Sequence, residues 1–279
     1  GLVLTPAFIT GWMGLPKLGV TSAAVAAVLS LVVALAWLSV YLIRRKDPLA
    51  PTPALFAHVR LDWKILRTVL RLGIPTGLQM VIMALAELVL LGLVNAYGSN
   101  ATAAYGATNQ VLSYVQFPAL SIGITASILG AQAIGGGKID RLAAIMKTGL
   151  AMNLVLTGIG VTIVYLLSRT IISLFITEPD VIALTERLLH IVLWSVVLFG
   201  WATVFSGIMR ASGTVWAPVI LNVLAIALVE VPIATYLSER IGIDGIWIAY
   251  PCAFAAMLIL QVCYYSFVWR RRPIVAIAQ

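Results

Sequence analysis

The sequence predicts an all-α integral membrane protein built as a bundle of transmembrane helices. Of its 279 residues, 62% are hydrophobic and only 10% are charged, and the mean hydropathy is +1.06. About a quarter of a soluble chain is charged, so this composition excludes an ordinary soluble domain. Long apolar runs without an alternation of apolar and polar residues favour helices over the strands of a membrane β-barrel.

Seven apolar stretches are each long enough to cross a bilayer, which takes about 20 helical residues. They are predicted near 18–43, 70–97, 103–134, 143–167, 183–209, 214–237 and 244–269. Residues 1–10 look like the end of an earlier span. The chain opens on Gly1 and has no signal-peptide pattern, so we expect that it begins inside a longer protein.

The basic residues alternate between the connections and predict the orientation of the spans. Of 18 Lys and Arg residues, 14 fall in the connections after the first, third and fifth spans and after the seventh. The opposite connections hold Lys17, Arg169, Arg187 and Arg240. The positive-inside rule therefore places the first group in the cytoplasm, in a multi-pass protein of the cell inner membrane. Because the net charge of +8 is spread over connections, we do not expect nucleic acid as a partner.

One long connection, 44–69, divides the chain. It contains Pro48, Pro51 and Pro53, followed by a short amphipathic piece around Trp63. We interpret it as a cytoplasmic linker with a helix on the membrane surface. The predicted organisation is therefore the end of one lobe at 1–43, the linker at 44–69, a six-helix lobe at 70–269 and a cytoplasmic tail at 270–279.

The first 45 residues resemble the last 45. Pro6 precedes an apolar helix that ends at Arg44-Arg45, and Pro232 precedes one that ends at Arg270-Arg271. Transporters are often built from two such repeats with the substrate between them. Any apolar helix that starts at glycine and ends in arginines would match as well. The similarity by itself is therefore compatible with an internal repeat and with a chance match of two such helices.

Glu87 is the leading candidate for a binding residue because it lies within a predicted span. An acidic side chain at that depth costs roughly 2.5 kcal/mol or more on insertion scales, and such residues usually face a cavity and hold a cation or a proton. Met80 and Met83 share its helical face, and flexible thioethers suit a greasy organic cation. The alternative is a protonated Glu87 that is hydrogen-bonded to a neighbouring helix.

Other polar residues within the spans have two interpretations each. Glu230, two residues before Pro232, is either a binding residue at a helix break or a residue in a structural ion pair or near the interface. Asn109 and Gln116 continue at intervals of seven into Gly123 and Gly130, with Tyr105 close by. That stripe predicts either helix-to-helix contact or the lining of a cleft. Pro118 predicts a bend that serves as a hinge.

The remaining reactive residues predict no catalytic or cofactor site. Cys252 and Cys263 are eleven residues apart on one predicted helix, too distant to bridge at about 1.5 Å per residue. His58 and His190 stand alone near span ends, and the glycines at 135–137 lack the Lys-Ser/Thr of a phosphate loop. A membrane-embedded enzyme is therefore a disfavoured alternative, and we expect no cofactor.

Five short motifs resemble those of a known family. They are Gly73-Ile74-Pro75, Ala103-Ala104-Tyr105-Gly106, Gly130-Ala131-Gln132 with the glycines that follow, Gly207-Ile208-Met209-Arg210-Ala211-Ser212-Gly213, and Glu230-Val231-Pro232. They are similar to the "GxP", "AAYG", "GQxxGAG", "GxxRGxG" and "R-I-P" motifs of the multidrug and toxic compound extrusion (MATE) family. The resemblance runs through the whole chain in the family's order and spacing.

The resemblance implies a two-lobe (6+6) transporter in which 70–269 is the second, C-terminal six-helix lobe and 18–43 is the last helix of the first lobe. The implied activity is secondary active antiport, which exports cationic amphiphilic compounds such as drugs and toxins in exchange for sodium ions or protons. The expected partners are organic cations, sodium or protons, membrane lipid and the missing N-terminal lobe. A sodium ion or a proton would bind at Glu87.

The resemblance also limits the site. Several family members carry an acid about one turn nearer the cytoplasmic end of the helix that corresponds to 70–97. Their partner acid lies in the span equivalent to 183–209, which has no acid at 194–201 here. We therefore do not expect a two-carboxylate sodium site in this lobe. The alternative in the same superfamily is a lipid-linked oligosaccharide flippase, whose cleft would hold several arginines, and no Arg or Lys is predicted at mid-membrane depth.

Overall fold

Helices make up all the regular secondary structure in the part of the chain that the structure describes. This computed structural model describes residues 21–45, 50–51 and 62–271. The helical segments long and apolar enough to cross a membrane are Ala24–Arg45, Trp63–Asn95, Ser99–Gly135, Arg141–Ser173, Pro179–Ala211, Trp216–Ile241 and Ile243–Arg271. Each coincides with one predicted stretch, so the predicted fold class is confirmed. The predictions for 1–10, for most of the linker and for the tail beyond residue 271 lie outside the described residues.

The chain divides into two compact units, 1–66 and 67–279. In the first unit, helix α1 (Thr21–Arg45) consists mainly of small and aliphatic residues and ends at the basic pair Arg44 and Arg45. Its 25 residues extend about 37 Å at 1.5 Å per residue, enough to cross the hydrocarbon core of a bilayer.

Helix α2 (Trp63–Asn95) begins seven residues earlier than predicted. The Asp62 carboxylate accepts hydrogen bonds from the backbone N–H groups of Lys64 (2.8 Å) and Ile65 (3.4 Å), as an N-cap residue does. The amphipathic piece around Trp63 is therefore the first turn of α2. This corrects the prediction of a separate helix on the membrane surface.

The remaining helices follow in order and form the other five spans. They are α3 (Ser99–Gly135), α4 (Arg141–Ser173), α5 (Pro179–Val192), α6 (Val196–Ala211), α7 (Trp216–Ala225), α8 (Val231–Ile241) and α9 (Ile243–Phe267). A 3₁₀ turn, Leu193–Ser195, joins α5 to α6 within one span, and a π-helical turn, Ile226–Glu230, joins α7 to α8 within the next. Pro232 is the second residue after this wide turn, and its missing N–H loosens the regular ladder there.

Glycine permits a close approach between α3 and α6 in the second unit. A methyl carbon added at Gly207 would lie 2.3 Å from the carbonyl oxygen of Gly123, and one added at Gly130 would lie 2.8 Å from Cβ of Ala211. Larger residues would force the two backbones apart. Gly123 and Gly130 therefore lie at the helix-to-helix contact, and Gly123 also lines the cavity described below.

A buried amide connects three helices next to this contact. The Asn153 amide nitrogen on α4 donates to the Ala119 carbonyl on α3 (3.5 Å), and its oxygen accepts from Thr157 (3.0 Å). Gly200 on α6 leaves room for it, since a Cβ there would lie 2.0 Å from the amide oxygen. Helix α3 runs unbroken through Pro118, and the hinge there stays a prediction. A kink that the sequence did not predict lies in α4 at Leu167 (φ −112°, ψ 15°).

We predict that Gly207→Ala destabilises the protein and that Gly158→Ala does not. The new methyl group at 207 collides with the backbone of α3, and overpacking of this kind costs roughly 1–3 kcal/mol. A Cβ atom added at Gly158 would have no neighbour within 4 Å, so alanine fits there without strain. Thermal unfolding of the purified protein in detergent would measure both effects. Equal melting temperatures for the two variants would contradict a tight α3–α6 contact.

Candidate binding cavity

The second unit contains a cavity of about 720 Å³ between α2, α3, α6, the α7–α8 span and α9. Its size falls in the range of about 300–1,000 Å³ that is usual for sites of drug-sized ligands. The sequence-predicted residues that line it are Met83, Glu87, Asn109, Gln116 and Glu230. The structure thus brings together residues from three spans. Met83 and Glu230, the most distant pair, are 147 positions apart in the chain.

Glu87 lies at the edge of this cavity with its side chain exposed. It sits eight residues, or about 12 Å, before the end of α2. The Asn109 side-chain amide donates a hydrogen bond of 3.4 Å to the Glu87 carboxylate. Glu87 therefore has a polar neighbour on α3, in partial agreement with the hydrogen-bonded alternative, but it also faces the cavity.

Glu230 lies deeper in the same cavity, at the end of the π-helical turn. Only 7% of it is exposed. Among the described residues it forms no ion pair, and the ion pair found there joins Arg187 to Asp244 at the α5–α9 contact. This corrects the interpretation of Glu230 as part of a structural ion pair or as exposed near the interface. Glu230, one of the candidate binding residues, therefore places a second carboxylate in this cavity, from the α7–α8 span.

Aromatic rings form the wall behind the two carboxylates. Tyr105 is 3% exposed and does not line the cavity, but its hydroxyl lies 3.1 Å from that of Tyr250, which does. Tyr105 and Tyr250 both pack on Trp247, with ring centroids 5.4 and 5.3 Å apart. Phe254 continues this wall from Tyr250. Tyr105 therefore lies behind the lining residue Tyr250.

Apart from Arg210, the rest of the lining is mostly apolar, with several uncharged polar groups. Met80, Met83 and Met257 contribute thioethers, and Gln116 and Ser113 contribute an amide and a hydroxyl from α3. Asn109 and Gln116 both line the cavity, and Asn109 also contacts α2 through Glu87. An adaptable apolar surface with a small number of polar groups suits amphiphilic molecules of varied shape.

Sequence reasoning missed Arg210, which it assigned to a cytoplasmic connection. The side chain lies at the end of α6, lines the cavity, and donates a hydrogen bond of 2.9 Å to the side-chain oxygen of Gln79. The signal in the sequence was the series Thr203, Ser206 and Arg210, which fall on one helical face and all line the cavity.

The cysteines and histidine within the described residues lie outside this site. Cys252 and Cys263 are both free, as their spacing predicted. His190 stacks on Tyr165 at the α4–α5 contact, with ring centroids 4.7 Å apart. No group of three or more His, Cys, Asp or Glu side chains is arranged to hold a metal ion within the ranges that the structure describes.

The sequence is similar to bacterial proteins named as multidrug resistance proteins. It is 43% identical to "Probable multidrug resistance protein YoeA" of Bacillus subtilis, an alignment that covers 100% of this chain and 60% of that protein. It is 27% identical to "Probable multidrug resistance protein YpnP" of the same organism, over 95% of this chain and 58% of that protein. The chain thus spans about 60% of the length of the curated relatives that it matches.

Solved structures share the fold at lower sequence identity. An outward-facing multidrug resistance MATE family transporter of the MOP superfamily superimposes with a TM-score of 0.82 at 20% identity, over 94% of this chain and 58% of that one. A Vibrio cholerae MATE transporter gives a TM-score of 0.82 at 17% identity, over 98% and 60%. The profile of the MatE family matches residues 75–236, more than half of the sequence. The chain therefore belongs to the MATE family, as its motifs predicted.

Proposed function

We propose that this chain forms one side of the substrate cleft of a secondary active exporter. The exporter carries cationic amphiphilic compounds out of the cell in exchange for sodium ions or protons. The observation that carries this proposal is that Glu87 and Glu230 line one largely apolar cavity and neither forms an ion pair within the described residues.

Two carboxylates in one cavity repel each other, and a low-polarity environment strengthens that repulsion. A single bound cation relieves it, whether that cation is a proton, a sodium ion or the ammonium group of a drug. Because these cations compete for the same carboxylates, binding of one favours release of another. This competition is the minimal requirement for antiport.

The similarity to multidrug resistance proteins supports export as the direction of transport. These relatives are longer than this chain, and we propose that a second lobe closes the cavity and allows alternating access. We also propose that the basic connections and the C-terminus face the cytoplasm in the inner membrane. The cleft of a flippase would be expected to hold several arginines. Among the described residues, the cavity lining includes Arg210 and no further Arg or Lys, which disfavours the flippase alternative.

Replacing either carboxylate is predicted to reduce gradient-driven transport. Glu87→Gln and Glu230→Gln each remove one negative charge for which the substrate and the coupling ion compete. We therefore expect uptake of a fluorescent organic cation to fall at least about tenfold, equivalent to about 1.4 kcal/mol. The assay uses inverted membrane vesicles with imposed sodium or proton gradients and the protein expressed from its whole gene. The gradient that drives wild-type uptake identifies the coupling ion.

Glu239→Gln is the matched control, because Glu239 is exposed on α8 and does not line the cavity. Its uptake is expected to equal that of the wild type. If Glu87→Gln and Glu230→Gln also transport at the wild-type rate, coupling does not depend on this cavity and the proposed role of both carboxylates is wrong.

The proposed orientation can be tested with single cysteines. In a background of Cys252→Ser and Cys263→Ser, Lys138→Cys reports on the α3–α4 connection and Thr177→Cys on the α4–α5 connection, both exposed positions. A membrane-impermeant maleimide added to intact cells stripped of their outer wall is expected to label position 177 and not position 138. Labelling in the reverse pattern would show that the orientation is inverted.

A further inference from the structure

Four basic residues from two distant parts of the chain lie at the same end of the second unit. Lys138 precedes α4 and Arg141 begins it, while Arg270 and Arg271 follow α9 in a 3₁₀ turn. Consecutive spans cross in opposite directions, so the α3–α4 connection and the end of α9 are on one side of the bundle. All four residues are exposed, and none forms an ion pair within the described part of the chain. We call these four residues the basic patch.

Trp269 holds the two halves of the basic patch together. Its side chain is only 4% exposed and belongs to the same buried cluster as Ile134, in the last turn of α3, and Leu142, in the first turn of α4. The indole N–H donates a hydrogen bond of 2.9 Å to the Ser212 hydroxyl at the end of α6. The two arginines that follow Trp269 are therefore held beside the connection that carries the other two cations.

The α3–α4 connection is itself fixed by backbone hydrogen bonds. Gly137 has a φ of 68°, a conformation that favours glycine. This turn lets the Lys138 N–H donate to the Ala133 carbonyl at 2.8 Å, and the Arg141 N–H donates to the Lys138 carbonyl at 3.0 Å. A backbone that is ordered in advance loses less conformational freedom when its side chains bind a ligand.

The two sides of the bundle differ in charge. From α3 onward, the side with the basic patch has five exposed basic residues, the patch and Lys147, and its acidic residue within the described ranges is Asp140. Carboxylates outnumber arginines in the connections and helix ends of the opposite side. The acids there are Glu178, Asp180, Glu186, Glu239 and Asp244, and the arginines are Arg169, Arg187 and Arg240.

Exposed apolar side chains accompany the cations of the basic patch. Phe267, two residues before Trp269, is 65% exposed, and Ile139, between Lys138 and Arg141, is 41% exposed. Cations next to exposed apolar groups match the boundary of a bilayer, where charged headgroups meet acyl chains. The composition of this surface therefore fits a lipid better than a soluble anion.

We propose that the basic patch binds the headgroup of an anionic phospholipid. The lipid phosphate accepts charge-assisted hydrogen bonds from the guanidinium groups and from Lys138, and the planar fork of arginine matches phosphate oxygens. Basic surfaces between helix ends bind anionic headgroups through the same chemistry. The proposal does not involve the cavity. It rests on the proposed orientation only for the leaflet, which is the cytoplasmic one.

Competition between two lipids tests the proposal. The protein expressed from its whole gene is purified in detergent, mixed with equimolar phosphatidylglycerol and phosphatidylcholine of identical acyl chains, and the retained lipids are counted by native mass spectrometry. We expect the wild type to retain phosphatidylglycerol preferentially. Two double variants, Lys138→Gln with Arg141→Gln and Arg270→Gln with Arg271→Gln, are each expected to lower this preference about tenfold or more.

Further variants separate a defined site from general surface charge. Arg67→Gln with Arg71→Gln removes two exposed cations at the same side of the bundle, on α2 and outside the Trp269 cluster, so the lipid preference is expected to stay within about twofold of the wild type. Trp269→Leu keeps the charge but loses the link between the two halves, and it is expected to lower the preference. Ser212→Ala is expected to do so to a smaller extent. Melting temperatures check that each variant is folded.

Three results would overturn the proposal. One is equal retention of the two lipids by the wild type. Another is an equal loss of preference in the Arg67 and Arg71 control, which would assign the effect to the total charge of the surface. The third is complete displacement of phosphatidylglycerol by millimolar inorganic phosphate, which would assign the patch to a soluble anion. Failure of the proposed transport function appears only in the uptake of the carboxylate variants and leaves these lipid measurements unchanged.

Discussion

The contact between α3 and α6 is the constraint on which the rest of the second unit depends. Lipid provides no hydrophobic force that drives helices together, so close packing and internal hydrogen bonds must do so. Gly123 and Gly207 allow the two backbones to approach, and the Thr203 hydroxyl on α6 donates to the Ala119 carbonyl on α3. The same contact positions Asn109 and Gln116 on one side of the cavity and Arg210 on another.

Buried polar groups in this lobe fall into two kinds. The Asn153 amide on α4 donates to α3, and the Gln261 amide on α9 donates to Asn222 on α7 at 2.9 Å. Both side chains therefore form helix-to-helix contacts. Glu230 and Ser206 are buried to a similar degree but line the cavity without such contacts among the described residues.

The position of Glu230 follows from an irregularity in its span. The π-helical turn Ile226–Glu230 adds a residue to the turn just before Pro232, and this changes the direction in which the following side chains point. Glu230, the last residue of this turn, lines the same cavity as Glu87. The second carboxylate of the site thus comes from a different span from the one in which the family resemblance placed it.

The sequence by itself determined the fold class, the seven spans and the family, because lipid forces every spanning segment to satisfy its own backbone and local composition records that requirement. It also identified Glu87, Asn109 and Gln116, since polar residues inside apolar runs are visible without a structure. The sequence also offered Glu230 and Tyr105 as candidates, but the tertiary structure was needed to place Glu230 in the same cavity, Tyr105 behind Tyr250, and Arg210 facing inward. Those facts depend on how helices rotate and approach one another, which is set by contacts between residues far apart in the chain, such as Gly123 with Gly207.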